Sequence, residues 1–310
     1  MNRRDFNRIL LTAPLLASLA RVARAVSPGP AFPLIAVDTH AHLFRRDLAL
    51  ANVHRYAPDY DATLDQYLRL LDEHGLSHGV VIQPSFLGTD NSYLVSALRA
   101  APHRLRGIAA IDPSVDEPAL DSLAAAGVVG IRLNLIGLSI PDLRSAPWTR
   151  VLASLARRDW QVEVQREARD LPQILDPLLQ AGLKVVVDHF GRPNPKLGVA
   201  DPGFQYLLGL GRTRQVWVKL SGAYRNGANG EGAAFALAAA PRLLETYGPD
   251  RLLWGSDWPH TQFEKAVDYS SARAALDQWV PDASARAAIL GEIPAKLYGF
   301  SGTKPAAPGS

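Results

Sequence analysis

The sequence predicts an α/β fold, a single-domain (β/α)8 barrel, and three observations carry the prediction. Short β-branched runs alternate with amphipathic stretches eight times, a rhythm that implies a parallel sheet covered by helices. Eight such units in about 265 residues match a closed eight-stranded barrel. The first run ends in "DTHAH" rather than in the Gly-rich phosphate turn that a doubly wound open sheet would usually offer there.

The first 33 residues are set apart from the barrel. Arg3 and Arg4 lie in an "NRRDF" context, a modest apolar stretch follows from Ile9 to Ala20, and "ARA" closes at Ala25. Residues 1–25 therefore resemble a twin-arginine export signal, which predicts a periplasmic protein that meets the export machinery. The apolar stretch is broken by Pro14 and falls well short of the roughly 20 residues a membrane span needs. Residues 26–33 are a Pro-rich linker, residues 34–300 form the barrel, and residues 301–310 form a flexible tail.

Within the barrel the predicted strands are "LIAVDTH" (34–40), "HGVVIQP" (78–84), "LRGIAAI" (105–111), "VVGIRLN" (128–134), "WQVEVQ" (160–165), "LKVVVDH" (183–189), "VWVKLSG" (216–222) and "RLLWGSD" (251–257). Amphipathic stretches such as "LDQYLRLLDEHG" and "AAFALAAAPRLLETYG" fill the intervals, several closed by glycine as expected past a helix C-terminus.

Charge and cysteine content exclude several classes of function. The chain carries a formal +3, but the leader holds five arginines and one aspartate, so the remainder is about −1. The basic character belongs to the leader and does not argue for nucleic-acid binding. With no cysteine, disulfides, thiolate metal ligands and cysteine nucleophiles are all excluded. Nothing else in the sequence predicts stable membrane association.

Reacting groups of such barrels sit at the C-terminal ends of the strands, and the polar residues gather there. Strand one ends in His40 and His42, strand two in Gln83 and Ser85, strand four in Arg132 and Asn134, strand five in Gln165. Strand six ends in Asp188, His189 and Arg192, strand seven in Ser221, Tyr224 and Arg225, strand eight in Asp257 and His260. Alternate side chains of a strand share a face, so His40 and His42 can address one target. Arg132, Arg192 and Arg225 follow different strands and can converge on one pocket. Their planar forks match carboxylates, which points to a small anionic substrate with one or two carboxylates. Ser85, Tyr224, Gln165 and Tyr56 are candidate orienting groups, whereas His54, His74, His78 and His103 read as bystanders.

Four motifs, "DTHAH", "DHFGRP", "VWVKLSGAYR" and "LLWGSDWPH", together with the closing "IPAKLYGF", resemble the amidohydrolase superfamily, with Ile293 where an asparagine is usual. The nearest likeness is to the branch containing pyrone-dicarboxylate and sugar lactonases. That resemblance implies hydrolysis of a cyclic ester, with Asp257 as general base and His40, His42 and His189 around the carbonyl. The same four residues are the candidate ligands should a single divalent metal such as zinc be bound. Strand four has no lysine, and on strand five Gln165 lies nearer the mouth than Glu163, so a binuclear centre is not expected. The pyrone-dicarboxylate side of the branch implies no obligatory metal. Two other readings remain open at this stage: a zinc-dependent decarboxylase of an aromatic or enol acid, and an exported carboxylate-binding protein without catalysis. A homo-oligomer is compatible with the family and is not demonstrated by any sequence feature.

Overall fold

The computed structural model describes residues 35–300. The leader expected at 1–25, the linker at 26–33 and the tail at 301–310 lie outside the described residues, as does Leu34, the first residue of the predicted barrel. The strands are β1 (Val37–Ala41), β2 (His78–Ile82), β3 (Leu105–Ala109), β4 (Val128–Asn134), β5 (Gln161–Gln165), β6 (Lys184–Val187), β7 (Val216–Leu220) and β8 (Leu252–Trp254). The helices are α1 (Leu64–Glu73), α2 (Ser92–Ala100), α3 (Glu117–Ala125), α4 (Ala146–Arg157), α5 (Leu171–Gln180), α6 (Pro202–Gly209), α7 (Glu231–Tyr247), α8 (Tyr269–Trp279), α9 (Ala283–Leu290) and α10 (Glu292–Tyr298).

The eight strands pair in parallel in their sequence order, β1 to β8. The ring is closed beyond the last strand: Asp257 N–H donates to the His40 carbonyl and His42 N–H to the Trp258 carbonyl, each at 2.8 Å. Side-chain caps define several helix starts, which satisfies amide donors left open at a helix N-terminus. Thr63 and Gln66 form a capping box on α1, Asp268 and Ser271 another on α8, and Asp116 caps α3.

Two apolar layers hold the barrel. Outward-facing Val162, Val164, Val185, Val187, Val216 and Val218 pack beneath the helices. Inside, Val37, Val80, Ile108, Val186, Trp217 and Leu253 fill the lower barrel, closed by Leu297, Tyr298 and Phe300 at the end of α10. The terminal "IPAKLYGF" is thus a plug for the barrel floor. Among the described residues, no helix is long and apolar enough to cross a membrane.

Five strands, β2, β3, β6, β7 and β8, stop short of their predicted ends, and the last three share one reason. β6, β7 and β8 end before His189, Gly222 and Asp257, whose φ angles are +50°, +52° and +62°. Left-handed backbone cannot continue a ladder, so the chain leaves the sheet where the polar residues begin.

Candidate active site

The floor of the barrel mouth is built by β1 and the segments after β6, β7 and β8. On β1 the register shifts between Asp38 and Ala41, three residues spanning two of β2. Such a bulge re-aims side chains, and His40 and His42 both turn inward. Asp38, facing the other way, anchors the segment: its carboxylate accepts from Ser256 N–H and Oγ–H at 2.8 and 2.6 Å and from the Tyr269 hydroxyl at 2.9 Å.

The Nε2 atoms of His40, His42 and His189 lie 3.7, 3.9 and 3.9 Å from a single oxygen, Asp257 Oδ1. These separations are too long for hydrogen bonds and leave room for a small oxygen-bearing group at the centre. Among the described residues, His40 Nε2, His189 Nε2 and Asp257 Oδ1 are buried with no hydrogen-bond partner, an arrangement native proteins rarely keep without a functional reason. The backbone is strained at the same place: His189, Phe190, Arg192, Asp257 and His260 all have positive φ. Close approach also requires glycine at two positions. A Cβ on Gly222 would stand 2.7 Å from His189 Nδ1 and 2.9 Å from Asp257 Oδ2, and one on Gly255 2.5 Å from His40 Cβ.

The other oxygen of Asp257 is tied down, by Arg225 Nε at 2.5 Å and the Tyr224 hydroxyl at 2.7 Å. Burial pushes the Asp257 carboxyl up, but Arg225, His189 and His40 more than offset it and hold it well below the usual carboxylate range. Burial lowers all three imidazoles, His42 to about 4 and His189 to about 3, so they are neutral at neutral pH. His42 Nδ1 lies 2.8 Å from the Ile82 carbonyl. A carbonyl only accepts, so the single proton of neutral His42 sits on Nδ1 and its Nε2 presents a lone pair. In this tautomer His42 Nε2 accepts a hydrogen bond and does not donate one.

Above this floor opens a cavity of about 170 Å³ lined by His42, Arg55, Tyr56, Ser85, Arg132, Gln165, Arg192, Arg225 and Asp257 among others. Arg132 forks onto Asp188, at 3.0 Å from Nε and 2.9 Å from a terminal nitrogen, and also donates to Gln165 Oε1 at 2.7 Å. Arg55 and Arg192 pair with no carboxylate among the described residues; burial lowers both, Arg132 and Arg225 lower Arg55 further, and Arg225 and Arg55 lower Arg192. Cationic groups held together without partners suit an anionic ligand.

The structure therefore brings together ten of the eleven predicted site residues at this mouth, either in the floor or in the cavity wall. Tyr224 is the exception to its expected role. Its hydroxyl donates to Asp257 Oδ2 and lies 3.1 Å from His260 Nδ1, and it is not among the residues that line the cavity. Sequence reasoning missed Arg55, which lies in the loop after β1 with no strand end to mark it. It also missed Lys219, although the spacing Trp217, Lys219, Ser221 in "VWVKLSG" places a charged residue on the inward face of β7.

Among the described residues, two groups of side chains could hold a metal ion: His40, His189 and Asp257, and below them His40, Glu163 and Asp188. The donor types suit a divalent cation. The charges do not: Arg132, Lys219 and Arg225 already face Glu163, Asp188 and Asp257 in ion pairs, a balanced set that a dication would leave with two uncompensated positive charges in a buried place.

The profile of the amidohydrolase family matches residues 37–300. A 2-pyrone-4,6-dicarboxylate hydrolase of Comamonas testosteroni is 32% identical over 278 residues, covering 86% of this chain and 90% of the relative. A 4-sulfomuconolactone hydrolase of Hydrogenophaga intermedia is 29% identical over 268 residues, covering 84% and 88%. A solved structure from Acinetobacter baumannii, assigned to 2-pyrone-4,6-dicarboxylic acid hydrolysis and holding citric acid, matches with a TM-score of 0.83 at 41% identity, covering 86% of this chain and 99% of its own. With the barrel, the His-x-His of β1 and the aspartate after β8 all in the places the motifs predicted, the chain belongs to the amidohydrolase family and resembles its lactone-hydrolysing members.

Proposed function

We propose that this protein is an ester-bond hydrolase that opens a lactone carrying one or two anionic groups, and that it does so without an obligatory metal. The observation that carries the reading is the convergence of three neutral imidazoles on Asp257 Oδ1 at 3.7–3.9 Å beneath an arginine-lined cavity. The similarity to named lactone hydrolases supports it. The balanced charges of the floor support the absence of a metal.

In this reading a water at the centre gives a hydrogen bond to Asp257 Oδ1 and another to the lone pair of His42 Nε2. Its oxygen attacks the lactone carbonyl carbon while the proton passes to Asp257. His40 and His189 face the carbonyl oxygen from Nε2, and donors preorganised there stabilise the negative charge of the tetrahedral intermediate. Collapse breaks the bond between the acyl carbon and the ring oxygen, which takes up the proton and leaves as the hydroxyl of a hydroxy acid. Arg55 and Arg192 bind the substrate's anionic groups, joined by the outward faces of Arg132 and Arg225. A carboxylate that draws Arg225 away from Asp257 would also raise the basicity of Asp257 as the substrate binds.

The test is a panel of lactones with zero, one and two carboxylates, and one with a sulfonate, assayed with wild type and Asp257→Asn. Turnover should require an anionic group, and the variant should lose about 10²- to 10⁴-fold in kcat, the usual worth of a general base. Unchanged turnover of every lactone in the variant would remove Asp257 from the reaction. The twin-arginine leader carries a separate proposal of export to the periplasm, checked by intact mass of the mature N-terminus, expected at Val26.

A further inference from the structure

Beneath His40 lies a second convergence of groups that takes no part in the proposed hydrolysis. Lys219 on β7 is fully buried. Its ammonium stands 2.7 Å from Glu163 Oε2, 3.1 Å from His40 Nδ1 and 3.5 Å from Asp188 Oδ1. Those three partners are the same set whose donor atoms lie within 4.8 Å of one another and could hold a metal ion. The lysine nitrogen lies among them, as a cation tethered to the chain. The outer oxygens of the cage are also engaged: Glu163 Oε1 accepts from the Tyr298 hydroxyl at 3.1 Å, and Asp188 Oδ2 from Arg132 Nε at 3.0 Å.

An ammonium group has three protons and no lone pair, so His40 Nδ1 can meet it only as an acceptor. The competing arrangement would have Nδ1–H donate to Asp188 Oδ1, 3.3 Å away. No contact to that oxygen among the described residues has hydrogen-bond geometry, whereas the contact from Lys219 to His40 Nδ1 does. With Nδ1 accepting, the one proton of the neutral ring resides on Nε2. This is the nitrogen aimed at the reaction centre, 3.7 Å from Asp257 Oδ1.

We infer that Lys219 is a positioning residue: its ammonium fills the His40–Glu163–Asp188 cage in place of a metal ion and fixes His40 as an Nε2–H donor to the lactone carbonyl. The catalytic part of this statement rests on the function proposed above; the tautomer does not. The same tautomer bars His40 from ligating a metal at the upper site, since a protonated nitrogen has no lone pair to give. His40 and His42, two residues apart, are thereby set in opposite tautomers. One donates to the carbonyl, and the other accepts from the water.

The experiment reads the tautomer without substrate, by long-range 1H–15N spectra of histidine-labelled full-length protein at neutral pH, with His40→Asn for assignment. Wild-type His40 is expected to carry its proton on Nε2, and Lys219→Met to lose that preference. In the same variant, calorimetry with zinc chloride should show affinity at least tenfold above wild type, as the emptied cage accepts the ion. Its kcat on a responsive lactone should fall about 10- to 100-fold with little change in KM, the usual effect of losing a group that orients an active-site ligand. Lys219→Met leaves two buried carboxylates undercompensated and can fail to fold. The double variant Lys219→Met, Glu163→Gln removes the opposing charges together; it should show the same loss of tautomer without the gain in zinc affinity. An Nδ1–H tautomer in the wild type, or an Nε2–H tautomer that survives in the folded variants, overturns the inference. A Lys219-dependent Nε2–H tautomer in a protein that hydrolyses no lactone supports it, and overturns the hydrolase reading alone.

Discussion

At the scale of single residues, the site works by giving chemically identical groups different environments. His42 is neutral because burial lowers it to about 4 from the usual 6.5. Between those values the folded state holds fewer protons than the unfolded state. The stability contributed is thus fully present above pH 6.5 and lost as the pH falls through about 4. Urea midpoints should therefore decline from pH 7 to pH 5. Replacing His42 by Asn should flatten the slope of unfolding free energy by about 1.4 kcal/mol per pH unit, the effect of one proton; an unaltered slope would mean His42 titrates alike in both states. Arg192 gives a second prediction at this scale. It pairs with no carboxylate among the described residues but faces the cavity, so Arg192→Met should raise KM for a doubly anionic lactone by about tenfold or more, one charged hydrogen bond. The inhibition constant of an uncharged lactone competing with that substrate should not move, and an equal rise for both would deny Arg192 its role.

At the scale of elements, the ends of β6, β7 and β8 decide where the chemistry sits. Each strand yields to a residue with positive φ, and at Gly222 the turn brings backbone against both His189 and Asp257. Gly222→Ala should cut kcat by about 10²-fold, since misplacing catalytic groups by an ångström has that effect. Gly182, with φ of +75° and open space around it, is the control. Gly182→Ala should lower thermal stability by backbone strain while leaving kcat near wild type. Equal losses of kcat in both variants would show that strain alone, and not the contact with His189 and Asp257, explains Gly222. The bulge in β1 belongs to the same scale, because a regular strand would still place His40 and His42 on one face but would not bring Asp38 to the turn that holds Asp257.

At the scale of the whole molecule, the relevant quantity is the balance of charge inside the barrel. Three cations and three carboxylates meet in the floor, and the plug of α10 closes them off from below through Tyr298. A protein purified without added metal should then contain well under one equivalent of any divalent ion by elemental analysis, and dialysis against a strong chelator should leave lactone turnover intact. One tightly held zinc per chain, with activity lost on its removal and restored on its return, would sink the metal-independent reading and favour a zinc-dependent reaction such as decarboxylation.

The sequence alone determined the barrel, because the short continuous β-branched runs and the helical runs between them leave few other ways to bury both faces of eight strands. It also determined which strand ends are polar, and hence the histidines, Asp257 and three of the four cavity arginines. Arg55 could not be read, since a loop residue gains its place only when the loop folds across the mouth. Tertiary structure alone decided the roles. Hydrogen bonds from distant strands set which nitrogen of each histidine carries a proton: Ile82 on β2 for His42, Lys219 on β7 for His40. Tyr224 was assigned to Asp257 in the same way, by a contact across 33 residues. Local pattern specifies where a side chain points; what it meets there depends on elements far away in the chain, and protonation follows from what it meets.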